Sequence, residues 1–235
     1  VFGADALVRW ELPDRGLILP SDFIPLAEET NLISEIGEWV LDKVCEDFLV
    51  WQRSVASPGR VSVNLSLKQL RQPNFIARIS SIFRAHEISP TSLELEITET
   101  TLMENPERTI KLLDELYGLG LHLAIDDFGT GYSSLSAMQQ FPISTLKIDK
   151  SFVRDVVTNP DDATIVDTII QMGRNLNMDV VAEGVEVEAQ LLFLQKLGCT
   201  YAQGLLFGDP MSADNYLELL LAQAEGTDTH RALFA

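Results

Sequence analysis

Ala124-Ile125-Asp126-Asp127-Phe128-Gly129-Thr130-Gly131-Tyr132-Ser133-Ser134-Leu135 sets two adjacent carboxylates where an apolar run, Leu121, Leu123 and Ile125, gives way to a Gly-rich turn. Neighbouring carboxylates at the end of a buried strand repel each other and lose hydration, so a cation is needed to compensate them. Two hard divalent metals, with one carboxylate bridging, would do so. An Asx-turn followed by a helix cap uses the same residue types, and the motif alone supports either reading. What the rest of the chain places beside it decides between them.

Outward from this stretch, short apolar runs alternate with amphipathic ones. Strands are expected at Phe2–Trp10, Arg60–Leu65, Leu93–Thr98, His122–Asp127, Thr145–Asp149, Asp179–Gly184 and Thr200–Gly204. Helical patterns fall between them at Ser34–Val55, Leu67–His86, Pro106–Gly118, Ser133–Phe141, Asp161–Asn177 and Val187–Leu197, with Ala213–Ala224 last. Asn105-Pro106 puts Pro at a first helical position, and Gly118 and Gly198 follow helical runs as terminators. Such alternation predicts a parallel sheet of right-handed βαβ units. Its seven strands are one short of a closed eight-stranded barrel, a fold of roughly 250 residues that suits a chain of 235. The chain opens inside a strand pattern at Val1-Phe2-Gly3, so a first strand is expected to precede it, as in a fragment of something longer.

Composition narrows the function classes. The net charge of −18 disfavours nucleic acid polymers and anionic membranes as partners, because counterion release needs clustered Lys and Arg. Hydrophobic residues make up 46%, enough for a core, yet no apolar run reaches the roughly 20 residues that cross a bilayer. Cys45 and Cys199 are far apart and are expected to be buried thiols in a reducing compartment.

The strands carry polar residues at period two. Ser62 and Asn64 share a face, as do Glu94, Glu96 and Thr98, then Lys147 and Asp149; Glu183 closes Val180-Val181-Ala182-Glu183-Gly184. Asp5, Leu7 and Arg9 also share one face. Alternation sends the apolar set towards helices and the polar set to the other side, which in a barrel is the interior and its mouth. Asp5, Asn64, Glu96, Asp126, Asp127 and Glu183 offer oxygen ligands only, which suits magnesium, manganese or calcium over zinc. Lys147 can hold a metal-bound water or neutralise a phosphate, or it can pair with neighbouring carboxylates. Arg9 can clamp a phosphate or form a surface pair. His86, His122 and His230 are scattered and form no ligand set.

These motifs, taken together, resemble the EAL-domain family of cyclic di-GMP phosphodiesterases. The resemblance runs from Gly3 to about Leu220. It rests on Asp5-Ala6-Leu7-Val8-Arg9-Trp10, Phe23-Ile24-Pro25-Leu26-Ala27-Glu28-Glu29, Val63-Asn64-Leu65-Ser66 and Glu96-Ile97-Thr98-Glu99. It continues through the Asp126–Leu135 stretch, Leu146-Lys147-Ile148-Asp149, Ala182-Glu183-Gly184-Val185-Glu186 and Gln203-Gly204. It implies a metal-dependent, TIM-barrel-like (β/α)8 variant spanning residues 1–225, with 226–235 as a disordered tail. Asn64, Glu96 and Asp126, with Asp5, would ligate one ion; Asp126, Asp127 and Glu183 would ligate the second. The ions would be Mg²⁺ or Mn²⁺, about 4 Å apart and activating a water, with Ca²⁺ binding but not supporting turnover. Lys147 would orient that water, Glu99 would brace the Phe128–Leu135 loop beside a homodimer contact, and Glu186 would support the ligands from behind. Leu7, Arg9 and Gln203 would contact cyclic di-GMP.

The same resemblance implies a cytoplasmic domain preceded in the full protein by a sensory or GGDEF domain, with any membrane anchor in those missing segments. One departure stands out: the family's signature acid is Glu, and here it is Asp5, one methylene shorter. A cyclic di-GMP receptor with weak or no turnover is the alternative this leaves open.

Overall fold

The computed structural model describes residues 1–103, 105–131 and 138–226. Its strands are β1 (Gly3–Ala6), β2 (Trp10–Leu12), β3 (Gly16–Ile18), β4 (Arg60–Asn64), β5 (Leu93–Thr98), β6 (His122–Phe128), β7 (Thr145–Ile148), β8 (Asp179–Ala182) and β9 (Tyr201–Ala202). Seven of them are hydrogen-bonded in the order β1-β4-β5-β6-β7-β8-β9, and β2 pairs with β3 apart from these. The described helices are α1 (Pro20–Glu29), α2 (Ile33–Ser54), α3 (Leu67–Leu70), α4 (Phe75–His86), α5 (Glu99–Met103), α6 (Pro106–Gly118), α7 (Lys150–Arg154), α8 (Pro160–Asn175), α9 (Glu188–Leu197) and α10 (Ala213–Ala224). The described residues gather into two compact units: 1–95, 118–121 and 211–226 in the first, 96–117 and 122–210 in the second.

In the first unit β1 runs parallel to β4, with Asp5 opposite Ser62. The C-terminal helix joins this unit through aromatic packing. Trp51 of α2 stacks edge-on against Tyr216 of α10 at 4.8 Å between centroids and donates its indole N–H to the Ala213 carbonyl at 3.2 Å. Tyr216 in turn donates its hydroxyl to the Pro58 carbonyl at 3.1 Å, so both polar tips are satisfied inside the packing. Half-buried Arg60 and buried Glu94 form an ion pair at 3.0 Å, and the Ser62 hydroxyl donates to the same carboxylate at 3.4 Å.

In the second unit β6, β7, β8 and β9 are parallel neighbours, as the strand–helix alternation predicts. Leu123, Ala124, Ile125, Leu146, Ile148 and Ala182 are fully buried on these strands, and α8 packs over β7 and β8 through Val166, Ile169 and Ile170. Asn159 caps α8 by accepting the Asp161 amide, with Pro160 at the first position.

Helices Pro106–Gly118 and Ala213–Ala224 occur with the bounds their sequence signals suggest. Two expectations are corrected, and short elements are added to them. The strand expected over Phe2–Trp10 ends at Ala6. Trp10–Leu12 instead opens a hairpin that turns at Pro13-Asp14-Arg15-Gly16, Gly16 taking a positive φ of 71°. A helix, α1, starts on Pro20, where no element was expected from sequence. The long Leu67–His86 helix is broken at Pro73, which lacks an amide and disfavours helical backbone before it; Asn74 sits there in the left-handed region. Short helices α5 and α7 follow β5 and β7 directly, too brief to show a period. The expected Ser133–Phe141 helix falls largely outside the described residues, as do the tail at 227–235 and Glu104.

Cys45 and Cys199 are buried and free, and burial pushes their thiols up to about 12 and about 11. No helix among the described residues is long and apolar enough to cross a membrane.

Candidate metal centre

The acidic pair leaves regular pairing on β6. Ala124 and Ile125 lie opposite Thr145 and Leu146; the register then shifts, and Phe128 pairs with Ile148. The shift is a bulge at Asp126-Asp127, where Asp127 adopts a φ of +52°, a conformation Asp tolerates better than most residues. Asp126 Oδ1 accepts the Asp127 amide at 2.9 Å, and the Thr130 hydroxyl donates to the Asp127 carbonyl at 2.8 Å. The turn reading therefore describes the backbone. It does not describe the carboxylates, which gather with a third from β8: oxygens of Asp126, Asp127 and Glu183 all lie within 4.8 Å of one another.

Because the strand resumes after the bulge, Phe128 belongs to β6 and is buried. It opens the Phe128–Leu135 stretch expected beside a homodimer contact; Tyr132 and Leu135 lie outside the described residues.

Lys147 is 2% exposed on β7, and its ammonium donates to buried Glu96 of β5 and, at 2.7 Å, to Glu183. Period two thus puts Lys147 where the sequence suggested, and it pairs with carboxylates as one of its two readings required. The chemistry around Asp127 is crowded with negative charge. Although the residue is exposed, lost hydration, followed by Asp126 and a hydrogen bond with Asp149, pushes its carboxyl up to about 6; Lys150 opposes this. Burial also penalises the Asp149 anion, but donation from the Ser151 hydroxyl and amide and from Asp127 outweighs it and holds Asp149 low. One proton is thus best placed between these two carboxylates, on Asp127.

Glu99, 3% exposed, begins α5 and reaches across the second unit. Its Oε2 accepts the amides of Gly129 and Gly131, both at 3.1 Å. A Cβ at Gly131 would come within 2.8 Å of that carboxyl carbon, so only glycine lets the carboxylate approach. Glu186 is exposed, and its backbone amide rather than its carboxylate enters the described hydrogen bonds. Gln203 holds strand ends together through its backbone, donating to the Ala182 carbonyl and accepting from the Val185 amide, each at 2.9 Å.

In the first unit, Asp5 is half-buried near the end of β1 and Asn64 ends β4 exposed. Leu7 is exposed just past β1, and half-buried Arg9 donates to the neighbouring Val8 carbonyl at 2.9 Å. Asp149 and Lys150 lie beside Asp127, and Gln190 is buried behind the Glu183 loop, none of them having been singled out from sequence. Asp149 had offered a signal by sharing a face with Lys147; the others offered none.

The sequence profile of the EAL domain family matches residues 1–210. The chain belongs to the EAL domain family. It is 44% identical over 217 residues to the bifunctional diguanylate cyclase/cyclic di-GMP phosphodiesterase MucR of Pseudomonas aeruginosa, an alignment covering 92% of this chain and 32% of MucR. It thus spans about a third of that relative's length. Among solved structures, the PaMucR phosphodiesterase in complex with c-di-GMP matches with a TM-score of 0.87 at 44% identity, covering 90% of this chain and 85% of that one. The EAL enzyme Bd1971, bound to cAMP and cyclic di-GMP, matches with a TM-score of 0.89 at 32% identity, over 93% of this chain and 60% of the other. The TIM-barrel-like α/β class expected from sequence is the fold of this EAL domain.

Proposed function

We propose that this EAL domain hydrolyses cyclic di-GMP to the linear dinucleotide using two divalent ions, Mg²⁺ or Mn²⁺. The observation that carries this is the Asp126, Asp127 and Glu183 cluster, with Lys147 buried beside it. Its donors are all hard oxygens, and lost hydration together with the neighbouring Asp126 and Asp149 carboxylates raises the Asp127 carboxyl, a cost that a divalent cation relieves. The relatives' names, a cyclic di-GMP phosphodiesterase and a c-di-GMP complex, supply the substrate.

Asp126, Asp127 and Glu183 hold one ion in this scheme, and Asp5, Asn64, Glu96 and Asp126 hold the other. Bound there, the ions supply Lewis acidity and charge stabilisation to an in-line displacement at phosphorus. Lys147, its ammonium fixed by Glu96 and Glu183, donates to the attacking water and orients it. Glu99 keeps Gly129 and Gly131 in place after the acidic pair, and Glu186 supports the loop carrying Glu183. Arg9 contacts phosphate, and Leu7 and Gln203 lie along the nucleotide. Homodimerisation beside residues 128–135 belongs to the same reading, the Glu99 hydrogen bonds being its support. So do a domain extent of 1–225, a cytoplasmic location and an upstream sensory or GGDEF domain in the full protein.

Asp5 favours a second reading, a cyclic di-GMP receptor with weak turnover, because its carboxylate is a methylene shorter than the Glu of the family signature. Chromatography of cyclic di-GMP incubated with the protein separates the two. Linear dinucleotide with Mg²⁺ or Mn²⁺, and none with Ca²⁺ or chelator, supports the enzyme. Binding in Ca²⁺ without product in any metal supports the receptor.

A further inference from the structure

Gln190 lies on α9, is 5% exposed, and spends its whole hydrogen-bonding capacity on backbone. Its Oε1 accepts the amides of Glu186 at 2.8 Å and Val187 at 3.0 Å. Its Nε2 donates to the carbonyls of Val153 at 3.3 Å and Arg154 at 3.0 Å. A carboxamide has two acceptor sites and two donors, and all four are used.

The two backbone segments it joins both lead to the carboxylate cluster. Val153 and Arg154 end α7, a single turn whose other end is Asp149 and Lys150, the groups beside Asp127. Glu186 and Val187 end the loop that begins at Glu183, one of the three clustered carboxylates. Between these anchor points the segments touch directly: Gly184, at φ +70°, lies so close to Lys150 that a Cβ there would meet its Cβ at 2.6 Å. The β8–α9 loop is therefore held to the α7 turn at two places, by contact near the cluster and by Gln190 behind it.

We propose that Gln190 is a positioning residue for the metal centre: it fixes the spacing between the α7 turn and the Glu183 loop and thereby sets divalent-ion affinity. This rests on the proposed metal-dependent function, and the test separates the two. Gln190→Glu keeps the acceptor towards Glu186 and Val187 but loses both donors, setting a carboxylate against the Val153 and Arg154 carbonyls. Gln190→Met, similar in length, removes donors and acceptors and serves if the first variant does not fold. The control is Arg174→Ala, which frees the Leu197 and Gly198 carbonyls at the opposite end of α9.

Calorimetric Mn²⁺ titration of each metal-stripped variant is read beside its thermal unfolding and beside amide exchange of the wild type. The expected result is about tenfold weaker Mn²⁺ binding for either Gln190 variant, the scale of loss when a ligand's supporting shell is disturbed. Arg174→Ala should bind as wild type, and the Glu186 and Val187 amides should be protected even without metal. Wild-type affinity in the folded Gln190 variants, an equal loss in Arg174→Ala, or unprotected Glu186 and Val187 amides would overturn the positioning role alone. A wild-type protein that binds no Mn²⁺ would overturn the metal-dependent function and this inference with it.

Discussion

Two ionic clusters serve opposite ends. In the first unit, Arg60 meets Glu94, Ser62 donates to the same carboxylate, and the guanidinium lies 5.7 Å over the Phe2 ring. That cluster balances one cation against one anion. In the second, Lys147 and Lys150 face Glu96, Asp126, Asp127, Asp149 and Glu183, a surplus of carboxylates in which lost hydration and then the neighbouring charges push the Asp127 carboxyl up to about 6. A balanced pair can close a core by itself, whereas an unbalanced one costs stability until a cation arrives. The difference supports the proposal that the second cluster is a site and the first is structure.

The comparison is broken most severely at Asp126, the residue that would serve both proposed ions. Asp126→Asn removes one charge with almost no change of shape, so cyclic di-GMP hydrolysis should fall by at least about 10²-fold, the scale of losing one group that stabilises a transition state. Unfolding temperature in chelator should hold or rise. Near-wild-type turnover would mean that the acidic pair is a turn and nothing more.

Next in size is a paired experiment on the two cations. Lys147→Met and Arg60→Met each strand a buried carboxylate, at a cost of about 3–5 kcal/mol by denaturant unfolding. Mn²⁺ should restore part of the loss in Lys147→Met, by neutralising Glu96 and Glu183, and none in Arg60→Met. Equal responses to Mn²⁺ would erase the distinction between the clusters.

A smaller effect follows from Asp127. Its folded carboxyl titrates near 6, above the ordinary carboxylate value of 3.8, so the folded state binds this proton more tightly. The associated stability is fully present below about pH 4 and is lost as pH rises through about 6. Asp149, held low, works in the opposite sense, adding stability that is lost as pH falls through its folded value. In chelator, wild type minus Asp127→Asn should therefore show a stability difference that declines between pH 4 and 6, and Mn²⁺ binding should strengthen over the same interval. A flat difference would place Asp127 outside the crowded cluster.

The smallest expected change is at Asp5. If its short arm weakens a metal site, Asp5→Glu should raise turnover at limiting Mg²⁺ while leaving cyclic di-GMP binding unchanged. Overpacking by the added methylene would appear instead as about 1–3 kcal/mol of lost stability, so unfolding is measured alongside. Unchanged turnover in a stable variant would show that the shorter acid is no handicap.

Much of the second unit was legible because its information is local. Period two placed Glu96 and Lys147 on inward faces, and Asp126-Asp127 at a strand end is visible in six residues. The extension of β6 to Phe128 was hidden because a bulge returns the chain to pairing with Ile148, and a bulge leaves no periodic trace. The β2–β3 hairpin was hidden for a related reason, strands of three residues falling below the window in which periodicity shows, and α1 was hidden because Pro25 interrupts its helical pattern. Glu99 was marked through family resemblance alone, since its partners are the amides of Gly129 and Gly131. Gln190 carried no signal at all, because its partners are backbone atoms of Val153 and Arg154 across the second unit, and a backbone atom has no sequence.

Calorimetric titration of the metal-stripped protein with Mn²⁺, each addition sampled for linear dinucleotide, tests most directly whether the carboxylate surplus is a catalytic metal centre. Two ions should bind per chain, with hydrolysis rising as they fill and vanishing on chelation. Full hydrolysis in chelator, or two ions bound with cyclic di-GMP intact, would contradict it.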